Sequence, residues 1–176
     1  MTDFGLPGVR VFELKRISDE RGFFCEALRR DWQEFLGNEW IEQINLSFSY
    51  PNVVRAWHKH NRGQVDYFLV LEGAMKICAY DDSRESKTKN HLAEIVASES
   101  RPRLVRIPGH YWHGTKTIGD RSSLTVYFVT KLYDYTNPDE ERRAWNDPTV
   151  VPSCINGKKE DPRVGKPWDW FYPVHR

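Results

Sequence analysis

Of the six histidines in this 176-residue chain, three fall at the ends of strand-like runs. Arg55-Ala56-Trp57-His58-Lys59-His60 lies between two such runs, and a later apolar run ends in Ile107-Pro108-Gly109-His110-Tyr111-Trp112-His113-Gly114. Side chains repeat every second residue along a strand, so His58 and His60 share a face. Such a face does one of two things: it grips a metal, or it presents a base to a substrate. An imidazole suits the second role because its unperturbed pKa lies near ~6.5.

The elements that hold these histidines read as short strands. Val9–Leu14 alternates as a first strand, and Asp19-Glu20-Arg21-Gly22 reads as a turn. Phe23 and Phe24 then lead into Glu26–Leu36, where the apolar positions Ala27, Leu28, Trp32, Phe35 and Leu36 recur at helical spacing, with Gly37 as a stop. From Ile41 the pattern predicts strands at 41–49, 53–58, 65–71, 74–80, 92–96, 104–107 and 124–131. Turn signals such as Tyr50-Pro51-Asn52, Glu72-Gly73 and Ile118-Gly119-Asp120 separate them. Many short strands with few helices predict an all-β jelly-roll or barrel. The mixed-charge run 81–90 reads as a solvated loop, and Asp139–Arg143 as a short helical turn. The irregular C-terminal segment ends in Pro167-Trp168-Asp169-Trp170-Phe171-Tyr172-Pro173, too aromatic for a free end, which predicts packing on the barrel or on a second subunit.

Composition bounds the partners. The length suits one domain over 1–176, with material for a sizeable core. With 26 Lys+Arg against 25 Asp+Glu, no global field draws the chain to nucleic acid or to an anionic membrane, and an anionic ligand must be held by local cations. The three cysteines, Cys25, Cys78 and Cys154, are odd in number and widely spaced, which predicts reduced thiols in a cytoplasmic protein. The opening Met1-Thr2-Asp3-Phe4-Gly5 has neither a basic region nor an apolar stretch, and no run approaches the ~20 apolar residues of a membrane span.

Several separate motifs then converge on one family. Asp19-Glu20-Arg21-Gly22-Phe23-Phe24-Cys25-Glu26 is similar to a D-x-R-G-x-F-x-E opening, and Gln43-Ile44-Asn45-Leu46-Ser47 to a Q-x-N-x-S strand. Val54-Arg55-Ala56-Trp57-His58 stands where the family has L-R-G-L-H, and Ile107-Pro108 with His113-Gly114 matches I-P-x-x-x-x-H-G. Asn137-Pro138 and Trp145-Asn146-Asp147-Pro148 close the series, in order, over roughly residues 9–148. The chain thus resembles the dTDP-4-dehydrorhamnose 3,5-epimerase branch of the cupins.

That resemblance implies a cupin jelly-roll, a 4-keto-6-deoxy sugar nucleotide as substrate, no cofactor and a homodimer. It implies His58 as general base, oriented by a carboxylate for which Asp161 in Lys159-Glu160-Asp161-Pro162-Arg163 is the candidate. It places Arg21, Arg55, Glu26, Gln43 and Asn45 on the nucleotide and diphosphate, where guanidinium groups grip phosphate in bidentate fashion. His60, His113 and Lys131 would line the sugar pocket. Two positions depart from the family. Its catalytic lysine falls on Asp66, and its tyrosine acid on Thr130. Tyr133, with Tyr127 and Tyr135 nearby, is the replacement acid, while Lys76, Arg62 or Lys131 could supply the missing positive charge.

Two rival readings stay open at this level. Metal-binding cupins present H-x-H, a further acidic or amide ligand and a distant histidine, which here would be His58, His60, Gln64 and His113 around zinc, iron, nickel or manganese. A catalytically silent sugar-nucleotide-binding cupin is the third reading, since both the lysine and the tyrosine are replaced.

Overall fold

A computed structural model of the chain describes residues 4–173; Met1-Thr2-Asp3 of the N-terminal reading lies outside the described residues. Two sheets face each other, antiparallel except for one parallel pair at an edge of the second. The first contains β1 (Arg10–Glu13), β9 (Arg103–Pro108), β6 (Val65–Glu72), β11 (Ser123–Val129) and β4 (Gln43–Ser49), in that spatial order. The second orders β12 (Glu140–Arg142), β5 (Val54–His60), β10 (Trp112–Thr117), β7 (Ala74–Tyr80), β8 (His91–Ser98) and β13 (Cys154–Ile155). A separate hairpin joins β2 (Arg16–Asp19) to β3 (Gly22–Cys25). This is the expected jelly-roll of the cupin type.

Alternation decides what each sheet buries. On β6, Phe68 and Val70 point into the space between the sheets with Ile77, Ala79, Ile95 and Val105, while Tyr67 and Leu69 point outward under Phe35 and Leu36. β6 is therefore covered on both faces and reads as a near-continuous apolar run. The outer face of the second sheet buries Trp57, Cys78, Tyr80 and Trp112 beneath Trp168 and Trp170. The aromatic tail thus packs on the barrel of its own chain. Cys78 and Cys154 are buried thiols and Cys25 is half-buried, all three unpaired.

Three local readings are corrected. The helix predicted over Glu26–Leu36 is only α1 (Gln33–Leu36). Its apolar residues still pack as the periodicity requires, Trp32 stacking on Phe12 at 4.4 Å, but Arg29 holds Glu26 and Asp31 in a non-helical turn. Phe23 and Phe24, read as a lead into that helix, form β3. The segment Asp139–Arg143 is not a helical turn, because β12 within it pairs antiparallel with β5, Glu140 opposite His60 and Arg142 opposite His58.

Candidate active site

A cavity of about 730 Å³ opens between the sheets, walled by the inward faces of β4, β5, β6, β10 and β11 and rimmed by residues 131–143. Period-two alternation selects its polar lining: Gln43, Asn45 and Ser47 from β4, Asp66 from β6, His113 and Thr115 from β10, Thr125 and Tyr127 from β11. His58 and His60 enter from β5. A β-bulge at Trp57 lies beside His58, since His113 is opposite His58 and the next residue, Gly114, opposite Ala56. Glycine is required at 114, where a Cβ would come within 2.3 Å of the Ala56 Cβ. Glycine at 109 serves the site similarly. Its N–H donates to the Gln64 carbonyl at 2.8 Å, its carbonyl accepts from the His60 N–H at 2.7 Å, and a Cβ there would lie 2.4 Å from the Gln64 oxygen.

Two histidine–carboxylate groups divide the pocket. At the first, His58 Nδ1 bonds Glu140 Oε1, and Arg142 donates to the other carboxylate oxygen at 3.0 Å. The bond to His58 is the main cause that holds the Glu140 carboxyl down at about 2, against the opposing effect of burial. Glu140 is thus a fixed anion that orients the ring and leaves Nε2 free of this bond. At the second group, buried Asp66 meets His113 Nε2 at 2.9 Å and His60 Nε2 at 3.6 Å, and accepts from Gln64 at 2.7 Å. Burial alone would raise this carboxyl, yet the two histidines, when protonated toward it, outweigh burial and hold it well below the usual carboxylate range.

The structure brings together His58, His60, His113, Gln43, Asn45, Arg55, Lys131 and Tyr133 around this cavity, with Gln64 beside them. Arg55 is braced by Ser49 Oγ at 2.9 Å and the Phe48 carbonyl at 3.1 Å. The Tyr133 N–H donates to Gln43 at 3.0 Å, and Gln43 in turn to Asn45 at 2.7 Å.

Asp161 does not join them. Arg163 grips it through two bonds of 2.9 Å and continues to Glu94 at 2.7 Å, on the outer face of the second sheet. The carboxylate on His58 belongs to Glu140. Lys76 is excluded by the same alternation: it faces outward and pairs with Glu94 at 3.0 Å. Thr130 faces away from the pocket and accepts from the Val65 N–H at 2.8 Å. Arg21 and Glu26 also lie outside the cavity within this chain. Arg21 pairs with Asp19 at 2.5 Å and Glu26 with Arg29 at 2.5 Å.

The chain is similar to known proteins over most of its length. The family described as dTDP-4-dehydrorhamnose 3,5-epimerase matches residues 3–156. A probable low-salt glycan biosynthesis epimerase of Haloferax volcanii is 43% identical over 134 residues, 76% of this chain and 85% of that protein. A spore coat polysaccharide biosynthesis protein of Bacillus subtilis is 36% identical over 82% of this chain and 93% of its own length. The crystal structure of a dTDP-6-deoxy-D-glucose-3,5-epimerase from Legionella pneumophila superposes with a TM-score of 0.74 at 24% identity, covering 97% of this chain and 83% of that one, a likeness of fold. The chain is an isomerase and belongs to the dTDP-4-dehydrorhamnose 3,5-epimerase family.

Proposed function

We propose that this chain epimerises a 4-keto-6-deoxy sugar nucleotide, with His58 as the base that removes the proton on a carbon next to the ketone. The observation that carries this reading is the His58–Glu140 contact inside a large cavity. A carboxylate behind an imidazole fixes its tautomer and stabilises the imidazolium formed when the ring takes a proton, as in other base–orienter pairs. Return of a proton to the opposite face inverts the carbon. Tyr133 is the proposed donor for that step, from the pocket rim. Arg55 and Lys131 are the local cations for the diphosphate, with Gln43, Asn45, His60 and His113 as polar contacts to nucleotide and sugar.

The working unit is proposed to be a homodimer. On β4 the inward residues line the pocket, but Ile44, Leu46 and Phe48 face outward 61%, 70% and 50% exposed, and β4 is an edge strand. The β2–β3 hairpin adds exposed Ile17, Phe23 and Phe24. Such an apolar surface suits burial against a second copy. In that arrangement the hairpin would carry Arg21 and Glu26 to the partner's nucleotide site. Three unpaired cysteines support work in the cytoplasm. Among the described residues no helix is long and apolar enough to cross a membrane.

The test is solvent exchange. Incubated in deuterated water with 4-keto-6-deoxy sugar nucleotides, the protein should place deuterium at C3 or C5 as read by NMR, and the His58→Asn variant should not. A wild-type protein that is folded and binds these nucleotides, yet exchanges no position, would make the chain a binding module.

A further inference from the structure

The second histidine group has a hydrogen too few. The Tyr111 carbonyl can only accept, so His113 Nδ1, 3.0 Å from it, carries the ring hydrogen. In the neutral ring Nε2 then points a bare lone pair at Asp66 Oδ2, 2.9 Å away in a buried site. Two acceptors at that separation repel unless a positive charge lies between them. His60 adds a third acceptor. Its Nε2 stands 3.6 Å from the same Asp66 oxygen and 3.1 Å from the Gln64 amide nitrogen, while its buried Nδ1 has no hydrogen-bond partner. The three ligand atoms of His60, Asp66 and His113 all lie within 4.8 Å of one another.

We propose that His60, Asp66 and His113 bind a divalent first-row transition metal ion. Bond lengths of about 2.0–2.2 Å at angles between square and tetrahedral place neighbouring ligand atoms about 2.8–3.6 Å apart, and the two separations from Asp66, 2.9 and 3.6 Å, fall within that range. Two imidazoles and one carboxylate are a donor set suited to zinc, cobalt, manganese, nickel or iron, with coordination positions left open toward the cavity. The His113 Nδ1–H bond to a backbone carbonyl is the outer contact that fixes a ligating histidine's tautomer. His58, held by Glu140, is not part of the set. The purpose of the ion rests on the epimerase reading. An enolate needs positive charge; of the cations lining the pocket, Arg62, Arg142 and Arg143 are each paired with a carboxylate, and Arg55 and Lys131 are the two assigned above to the diphosphate.

The experiment is a titration of cobalt(II) into chelator-stripped full-length protein, followed by visible absorption and calorimetry. One equivalent per chain with ligand-field bands is expected, displaced by zinc. Asp66→Asn and His113→Gln should each weaken binding by about 10²-fold or more, with circular dichroism and melting confirming the fold. His58→Asn should bind the ion as wild type does. Absence of stoichiometric binding in the wild-type protein, or binding unaffected by both ligand substitutions, would overturn the site. So would nitrogen NMR showing His113 protonated on both ring nitrogens whatever metal is added, because a proton then occupies the gap. Solvent exchange is read separately. Exchange by protein that binds no metal would sink this inference alone, and metal binding without exchange would sink the epimerase reading alone.

Discussion

The second sheet carries charged clusters on both of its faces, and they are built differently. On the outer face Lys76, Glu94, Arg163 and Asp161 alternate in sign, each cation meeting a carboxylate, under the rings of Trp168 and Tyr172. On the inner face its histidines meet two carboxylates around open space, Glu140 of the same sheet and Asp66 of the facing one. The outer cluster is balanced in fixed charges and closed by packing, so it serves structure. The inner groups depend on where protons or cations sit, and that dependence is what proton transfer uses.

This contrast can be broken at either face. The largest expected effect is inside: His58→Asn should lower solvent exchange into the sugar by about 10²–10⁴-fold, the usual worth of a positioned base. Glu140→Gln should come next, with kcat falling by about 10²-fold, KM little changed, and partial recovery in Glu140→Asp. A fall in binding alone would mean that Glu140 contacts substrate instead of orienting the ring. Outside, Asp161→Asn should leave exchange intact and cost about 1 kcal/mol, a melting temperature lower by roughly 2–4 °C. Loss of exchange in that variant would restore Asp161 as the partner of the base and erase the distinction between the faces.

A further effect is on acid stability. The Glu140 carboxyl titrates at about 2 in the fold, against an ordinary value of 4.5. Its depressed value means that its contribution to stability is fully present above about 4.5 and disappears as pH falls through about 2. Acid unfolding of wild type and Glu140→Gln, followed by circular dichroism, should therefore differ by a constant amount at neutral pH and converge between those limits.

Much of the fold was legible because β6, β7, β8 and β9 have strong apolar patterns; β7 appears at the predicted residues, Ala74–Tyr80. β10 was missed: its sequence WHGTKT is buried throughout although four of its six residues are polar, since one face lines the cavity. β12 was missed for a related reason. Glu140, Glu141 and Arg142 include no apolar residue, so no alternation marks them, and the strand exists because β5 offers an unpaired edge. With β12 unseen, the partner of His58 was sought in Asp161, where a local Asp-Pro-Arg turn instead closes a bidentate pair. His58 and His60 were legible because motif and strand spacing both placed them, and His113 because its motif did. The Asp66 contact was not, since it depends on the register of β6 and β10 in opposite sheets.

His58 and Glu140 stand 82 positions apart along the chain. At synthesis rates of about 5–20 residues per second, roughly 4–16 s separate the emergence of His58 from that of Glu140. A nascent chain therefore carries the histidine-bearing strand for seconds before the strand that orients it exists. The His58–Glu140 pair is completed late in the birth of the molecule, and a chain released early, short of β12, would have the pocket histidines without the carboxylate that orients His58.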